Sequence, residues 1–163
     1  MYAGQPNAGV LTTFADVLIK MFLRVAGESV RPGPCHSVPG IGRRMDFTVA
    51  QDFRGAFVGT CLLSLTSDVL MRISSRMLGE PVLEPGDLAR DGASEFLNIV
   101  NGNVCAKLGG NGRATELTPP VLHDNRDGAP FAFSAAAKGG RLCVTPILHP
   151  TSGIEFALID RTA

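Results

Sequence analysis

Apolar residues along the chain recur at two different periods, and the places where the period changes divide it into elements. From Val10 to Ala26, residues Phe14, Val17, Leu18, Met21, Phe22 and Val25 follow helical spacing, and Gly27 stands where a C-cap belongs. Ser29 to Gly42 is rich in proline and glycine and reads as a short strand followed by a loop. Met45 to Gln51 and Ala56 to Leu65 read as the strands of a hairpin, turning at Asp52-Phe53-Arg54-Gly55. A second helix, capped by Thr66, Ser67 or Asp68, is expected to run to Leu78. Its apolar face is Val69, Leu70, Ile73, Met77 and Leu78, and Gly79 ends it.

Asp87 is the expected cap of a third helix from Leu88 to about Leu108. Ala114 to Leu122 is the next strand. Pro119-Pro120 assigns it to an edge or a strand end, because a central strand would lose ladder hydrogen bonds there. Phe131 to Ala137 and Arg141 to Leu148 suggest another hairpin around Gly139-Gly140, and Ile154 to Asp160 is the last strand. Consecutive strands joined by tight turns predict the α+β class, an antiparallel β-sheet with three helices packed on it. No linker interrupts the pattern, so residues 1–163 are expected to form a single domain, with residues 1–8 flexible.

Composition narrows the function classes. Apolar residues make up 45% and charged residues 18% of the chain, a globular balance. Formal net charge is zero, which gives no bulk attraction to nucleic acid or to an anionic membrane. Lys20 and Arg24 interrupt the first apolar helix, and the uncharged stretch from Gly55 to Ser67 is too short to span a bilayer. Cys35, Cys61, Cys105 and Cys143 are widely spaced, so a zinc site of clustered ligands is not expected. Cys61 and Cys143 lie in apolar runs and read as small core residues. The expected location is the cytoplasm, with reduced thiols.

One segment carries candidate chemistry. Asp91, Glu95, Asn98 and Gly102 of the third helix are spaced by four, three and four, which places them on one stripe. Ala93, Phe96, Leu97, Val100 and Val104 fall on the opposite side and can face a core. A solvated helix face would account for a polar stripe, but asparagine and glycine are poor choices for the middle of one. Gly102 costs about 1 kcal/mol relative to alanine. A small residue there suits close approach by another protein. Ser94 and Asn101 lie off the stripe and read as incidental.

The run Asp91-x-x-x-Glu95-x-x-Asn98 followed by Gly102-Asn103 resembles the phosphatase motif of the CheC, CheX and FliY family of chemotaxis phosphatases. Pro119 and Pro120 lie near the place of that motif's downstream proline. The ends of the first two helices, Ala26-Gly27 and Met77-Leu78-Gly79-Glu80, resemble the CheX pattern. The first helix has no Glu-x-x-Asn of its own, which favours the CheX branch over its two-motif relatives. Gly92, near the helix start, departs from the pattern and is expected to loosen it.

The resemblance implies a phosphatase acting on the aspartyl phosphate of a CheY-like response regulator, in chemotaxis or another two-component pathway. It implies that Asn98 orients the attacking water and that Glu95 docks on the receiver's lysine. Asp91, Gly102 and Asn103 would be partner contacts, although Asp91 also suits the N-terminal end of the helix dipole. No cofactor of its own is implied, since Mg²⁺ sits in the receiver's active site. A homodimer is implied, with no nucleic-acid or membrane partner. The alternative within the same resemblance is a catalytically weak or inactive CheX-like dimeric interaction domain that binds a receiver.

Overall fold

The computed structural model describes residues 7–34, 45–109, 114–128, 130–131, 138–148 and 153–162. Helix α1 (Ala8–Met21) continues into a π-helical turn (Phe22–Ala26) that ends on Gly27 in the left-handed conformation. The Asn7 carboxamide caps α1 by accepting the Gly9 N–H at 2.8 Å. Asn7 is thus the N-cap and Ala8 the first residue of the helix, and the cap satisfies an otherwise orphaned amide. Residues 1–6 lie outside the described residues.

Strands β1 (Arg31–Pro32), β2 (Phe47–Gly55) and β3 (Gly59–Leu65) come next, then α2 (Ser67–Leu78) and α3 (Asp87–Leu108). Strands β4 (Thr115–Leu117), β5 (Val121–Asp124), β6 (Arg141–Leu148) and β7 (Ile154–Asp160) complete the described elements. Every strand pair is antiparallel, in the order β1-β6-β7-β3-β2-β4, and β5 also pairs with β2. The α+β expectation holds. So does the edge placement of the double proline, which separates β4 from β5 along the outer side of β2. The expected strand Phe131 to Ala137 falls almost wholly outside the described residues.

The first hairpin turns later than its sequence suggests. Asp52 pairs with Thr60 and Phe53 with Gly59, so both stay in the ladder. The reason is Phe53, whose buried ring stacks edge-on against Phe14 of α1 at 5.3 Å and Phe57 at 5.5 Å. Gly55, at φ +109°, then carries β2 so close to β4 that an added Cβ would strike the Ala114 carbonyl.

Alternation along β2 and β3 aims Phe47, Val49, Phe53, Cys61, Leu63 and Leu65 into one core with the inner faces of α1, α2 and α3. Phe22 stacks on Phe96 of α3 at 4.9 Å. Leu62, Ala157 and Ile159 form a smaller cluster on the other face of the sheet. Cys61 is a buried free thiol, as expected. Cys143 is buried but disulfide-bonded, which corrects the expectation that all four thiols are reduced.

Helix α2 begins at the predicted place, with Thr66 at the N-cap, yet Thr66 makes no side-chain cap bond. Asp46 does that work from β2's side, accepting both the Ser67 N–H and its hydroxyl at 2.7 Å. Helix α3 takes Gly86 as N-cap, and Asp87 is its first residue instead of its cap.

Candidate functional site

The buried side of α3 is Ala89, Gly92, Ala93, Phe96, Leu97, Val100, Asn101 and Val104. Packing of that side turns the stripe outward. Asp91, Glu95 and Gly102 are exposed, and Asn98 is half-buried at the boundary. The four predicted stripe residues thus share one face. Among the described residues, neither Asp91 nor Glu95 takes part in an ion pair. Both carboxylates are presented to solvent.

Two readings of individual residues change. Asp91 stands past the first turn of α3, where the helix dipole has little reach, so a dipole role no longer explains it. Gly92 does not loosen the helix. It lies where α3 crosses α2, and a Cβ there would come within 2.7 Å of the Ser74 side chain. Ser74 donates its hydroxyl to the Ala89 carbonyl at 2.6 Å across the same crossing. Gly102, in contrast, has open space around it. Asn103 is exposed and donates back to the Ile99 carbonyl of its own helix at 2.8 Å.

Asn98 is not a free side chain. Its Oδ1 accepts from Gln51 Nε2 of β2 at 2.9 Å, and the same nitrogen donates to the Thr118 carbonyl at 2.8 Å. Gln51 Oε1 accepts from Asn101 Nδ2 at 2.8 Å. Gln51 and Asn101 are both buried. The sequence reading passed over both. Their signal was a polar residue breaking an apolar series: Gln51 between Val49 and Phe53, and Asn101 between Leu97 and Val104. Cys61 is the cross-strand partner of Gln51. Burial pushes its thiol far above the ordinary range, against a smaller opposing effect from its hydrogen bond with Asn101, so it is not a nucleophile at neutral pH.

A second anchor fixes the N-terminal half of α3. Arg90 donates to Asp124 of β5 at 2.8 Å, and Arg126 grips the same carboxylate through two nitrogens. The Arg126 guanidinium lies 4.5 Å from the centre of the Phe47 ring. The Arg126 hydrogen bonds hold the Asp124 carboxyl down at about 2, with the Arg90 charge adding to the effect.

A groove lined by Ala26, Glu28, Met71, Arg72, Arg76 and Val82 contains none of the stripe residues. The stripe lies on the solvent-facing side of α3, apart from that groove. Among the described residues, no group of three or more His, Cys, Asp or Glu side chains could hold a metal ion. Among the described residues, no helix is long and apolar enough to cross a membrane.

Residues 47–138 match the family model described as Chemotaxis phosphatase CheX, a span covering more than half the chain and all of α3. The chain belongs to the CheX family. No curated protein matches it in sequence. Solved structures agree on the fold. A CheC-like superfamily protein from Shewanella sp. PV-4 superimposes with a TM-score of 0.80 at 16% identity, covering 96% of this chain and 100% of its own. Chemotaxis protein CheX from Vibrio vulnificus gives 0.79 at 18% identity, covering 94% and 99%. A chain of the CheX-CheY-BeF3-Mg²⁺ complex from Borrelia burgdorferi gives 0.70 at 16% identity, covering 93% of this chain and 96% of its own. At these identities the likeness to each structure is one of fold.

Proposed function

We propose that this CheX-family protein stimulates hydrolysis of the aspartyl phosphate on a CheY-like receiver, with Asn98 orienting the attacking water and Glu95 docking on the receiver's lysine. The observation that carries this reading is the outward stripe itself: an unpaired carboxylate one turn before a carboxamide that the fold holds in place.

The chemistry suits those residue types. A receiver brings its own Mg²⁺ to the phosphoryl group, so what hydrolysis lacks is a water held in line with the leaving oxygen. The Asn98 Oδ1 has two lone pairs and gives one to Gln51. A water donating to the second is turned with its own lone pair away from the amide. A carboxamide does not titrate near neutral pH, so Asn98 positions the water and does not remove its proton. Glu95 supplies the charge-assisted contact that sets register. Asp91, Gly102 and Asn103 complete the contact face. The resemblance extends to a homodimer, which the mass of the protein in solution checks directly. A cytoplasmic location is part of this reading.

The test is phosphate release from a phosphorylated receiver of the same organism, with and without the protein. Asn98→Ala should lower the stimulated rate roughly a hundredfold with binding retained. Glu95→Ala should act chiefly on the concentration needed for half-maximal stimulation. If the wild-type protein binds a receiver loaded with beryllofluoride but speeds no hydrolysis, the inactive interaction domain is the correct reading.

A further inference from the structure

The geometry points to Gln51, backed by Asn101, as a positioning residue that fixes which atom of the Asn98 carboxamide faces the partner. This inference rests on the phosphatase reading for its kinetic consequence, but its geometric half stands apart from it.

The orientation of all three amides follows from one backbone carbonyl. Thr118 O can only accept, so the Gln51 atom 2.8 Å from it is the nitrogen, Nε2. The second proton of that NH2 group points to Asn98 at 2.9 Å, so Asn98 must present an acceptor there, Oδ1. Gln51 Oε1 then faces Asn101, which must present its Nδ2, at 2.8 Å. Reversing any one amide would set donor against donor or acceptor against acceptor. The chain of bonds turns the Asn98 Nδ2 away from the sheet and leaves one lone pair of Oδ1 open.

A purely structural account of this cluster is poor. Gln51 and Asn101 lie in the core beneath α3, where an apolar pair of similar volume would pack without desolvating two amides. Asn101 Oδ1 is buried with no hydrogen-bond partner, a cost that a core selected for stability alone would avoid. The terminal torsion of an asparagine is soft and nearly two-fold, so an unanchored Asn98 would present either end of its amide to the partner. The Gln51 bonds remove that ambiguity before the partner arrives.

The test uses Gln51→Met, which keeps length and loses both donors, and the double variant Gln51→Met/Asn101→Leu, which removes both buried amides and carries the test if the single variant does not fold. Three quantities are measured: stimulated phosphate release at saturation, affinity for a receiver loaded with beryllofluoride and Mg²⁺, and the side-chain amide resonances of Asn98 in the free protein. The expected result is a roughly tenfold to hundredfold fall in the saturating rate, unchanged affinity, and displaced or averaged Asn98 resonances. Wild-type rates in a folded variant overturn the inference and leave the phosphatase reading standing. If the wild-type protein stimulates no receiver, the phosphatase reading falls, and the resonances decide the geometric half: displacement supports it and an unmoved Asn98 signal overturns it.

Discussion

Helix α3 carries two glycines, one buried and one exposed, and an added methyl group would meet opposite surroundings at the two. At Gly92 it would press into Ser74 of α2, within 2.8 Å of the Cα atom itself. At Gly102 it would meet nothing within 4 Å. The first glycine is explained by the fold. The second is not, and it lies on the same stripe as Asp91, Glu95 and Asn98. The inner face of α3 is therefore governed by packing within the chain, whereas the outer face keeps a residue whose cost to the helix nothing inside the chain offsets.

The comparison breaks most readily at the helix crossing. Gly92→Val should cost about 3 kcal/mol, the upper end of ordinary overpacking, since α2 presents backbone and not a flexible tip. For a domain of this length that lowers the melting temperature by roughly 6–12 °C. Ser74→Gly in the same chain should recover part of the loss by opening the space, even though it gives up the bond to Ala89. A thermal melt of the wild type and the two variants checks this, and an unshifted Gly92→Val would show that the crossing is looser than its geometry.

A smaller effect belongs to the clamp that ties α3 to β5. The folded-state pKa of Asp124 is depressed to about 2 by its Arg126 hydrogen bonds and the Arg90 charge. Its contribution is therefore fully present above the ordinary carboxylate value of 3.8 and is lost as pH falls from there through about 2. Asp124→Asn should cost about 2 kcal/mol at neutral pH, in keeping with hydrogen bonds to a charged group. It should also flatten the dependence of the melting temperature on pH below about 4. Parallel acid profiles for the two proteins would remove Asp124 from the account.

These contrasts separate what a single sequence displays from what it conceals. Periodicity marks α3, its end at Leu108 and its outward stripe, because those depend on spacing along one element. The last strand, Ile154–Asp160, is equally plain, since it is a mostly apolar run, broken by Glu155, that follows the turn at Gly153. What pairs across elements is not visible in that way. Asp46 reaches α2, Phe53 reaches Phe14, and Gln51 reaches Asn98 and Asn101 only after β2 is laid against the helices. Asn101 read as incidental because helical spacing sets it apart from Asn98, yet being on the buried side is what lets it hold Gln51. The site's exposed half was legible in the sequence and its supporting half was not, because the support comes from another strand.

The finest test of the contrast is Gly102→Ala, the smallest change to the surface. With no neighbour to displace, the substitution should recover about 1 kcal/mol of helix propensity. The melting temperature should rise by roughly 2–4 °C. If the glycine is kept for close approach by a receiver, the same variant should need more receiver for half-maximal stimulation, with the saturating rate held by Asn98 and Gln51 as before. Stability and docking would then move in opposite directions on one methyl group, which a purely internal role for Gly102 does not allow. A variant that is more stable and docks as well as the wild type would show instead that the stripe's contact with its partner ends before Gly102, between Asn98 and the next turn of α3.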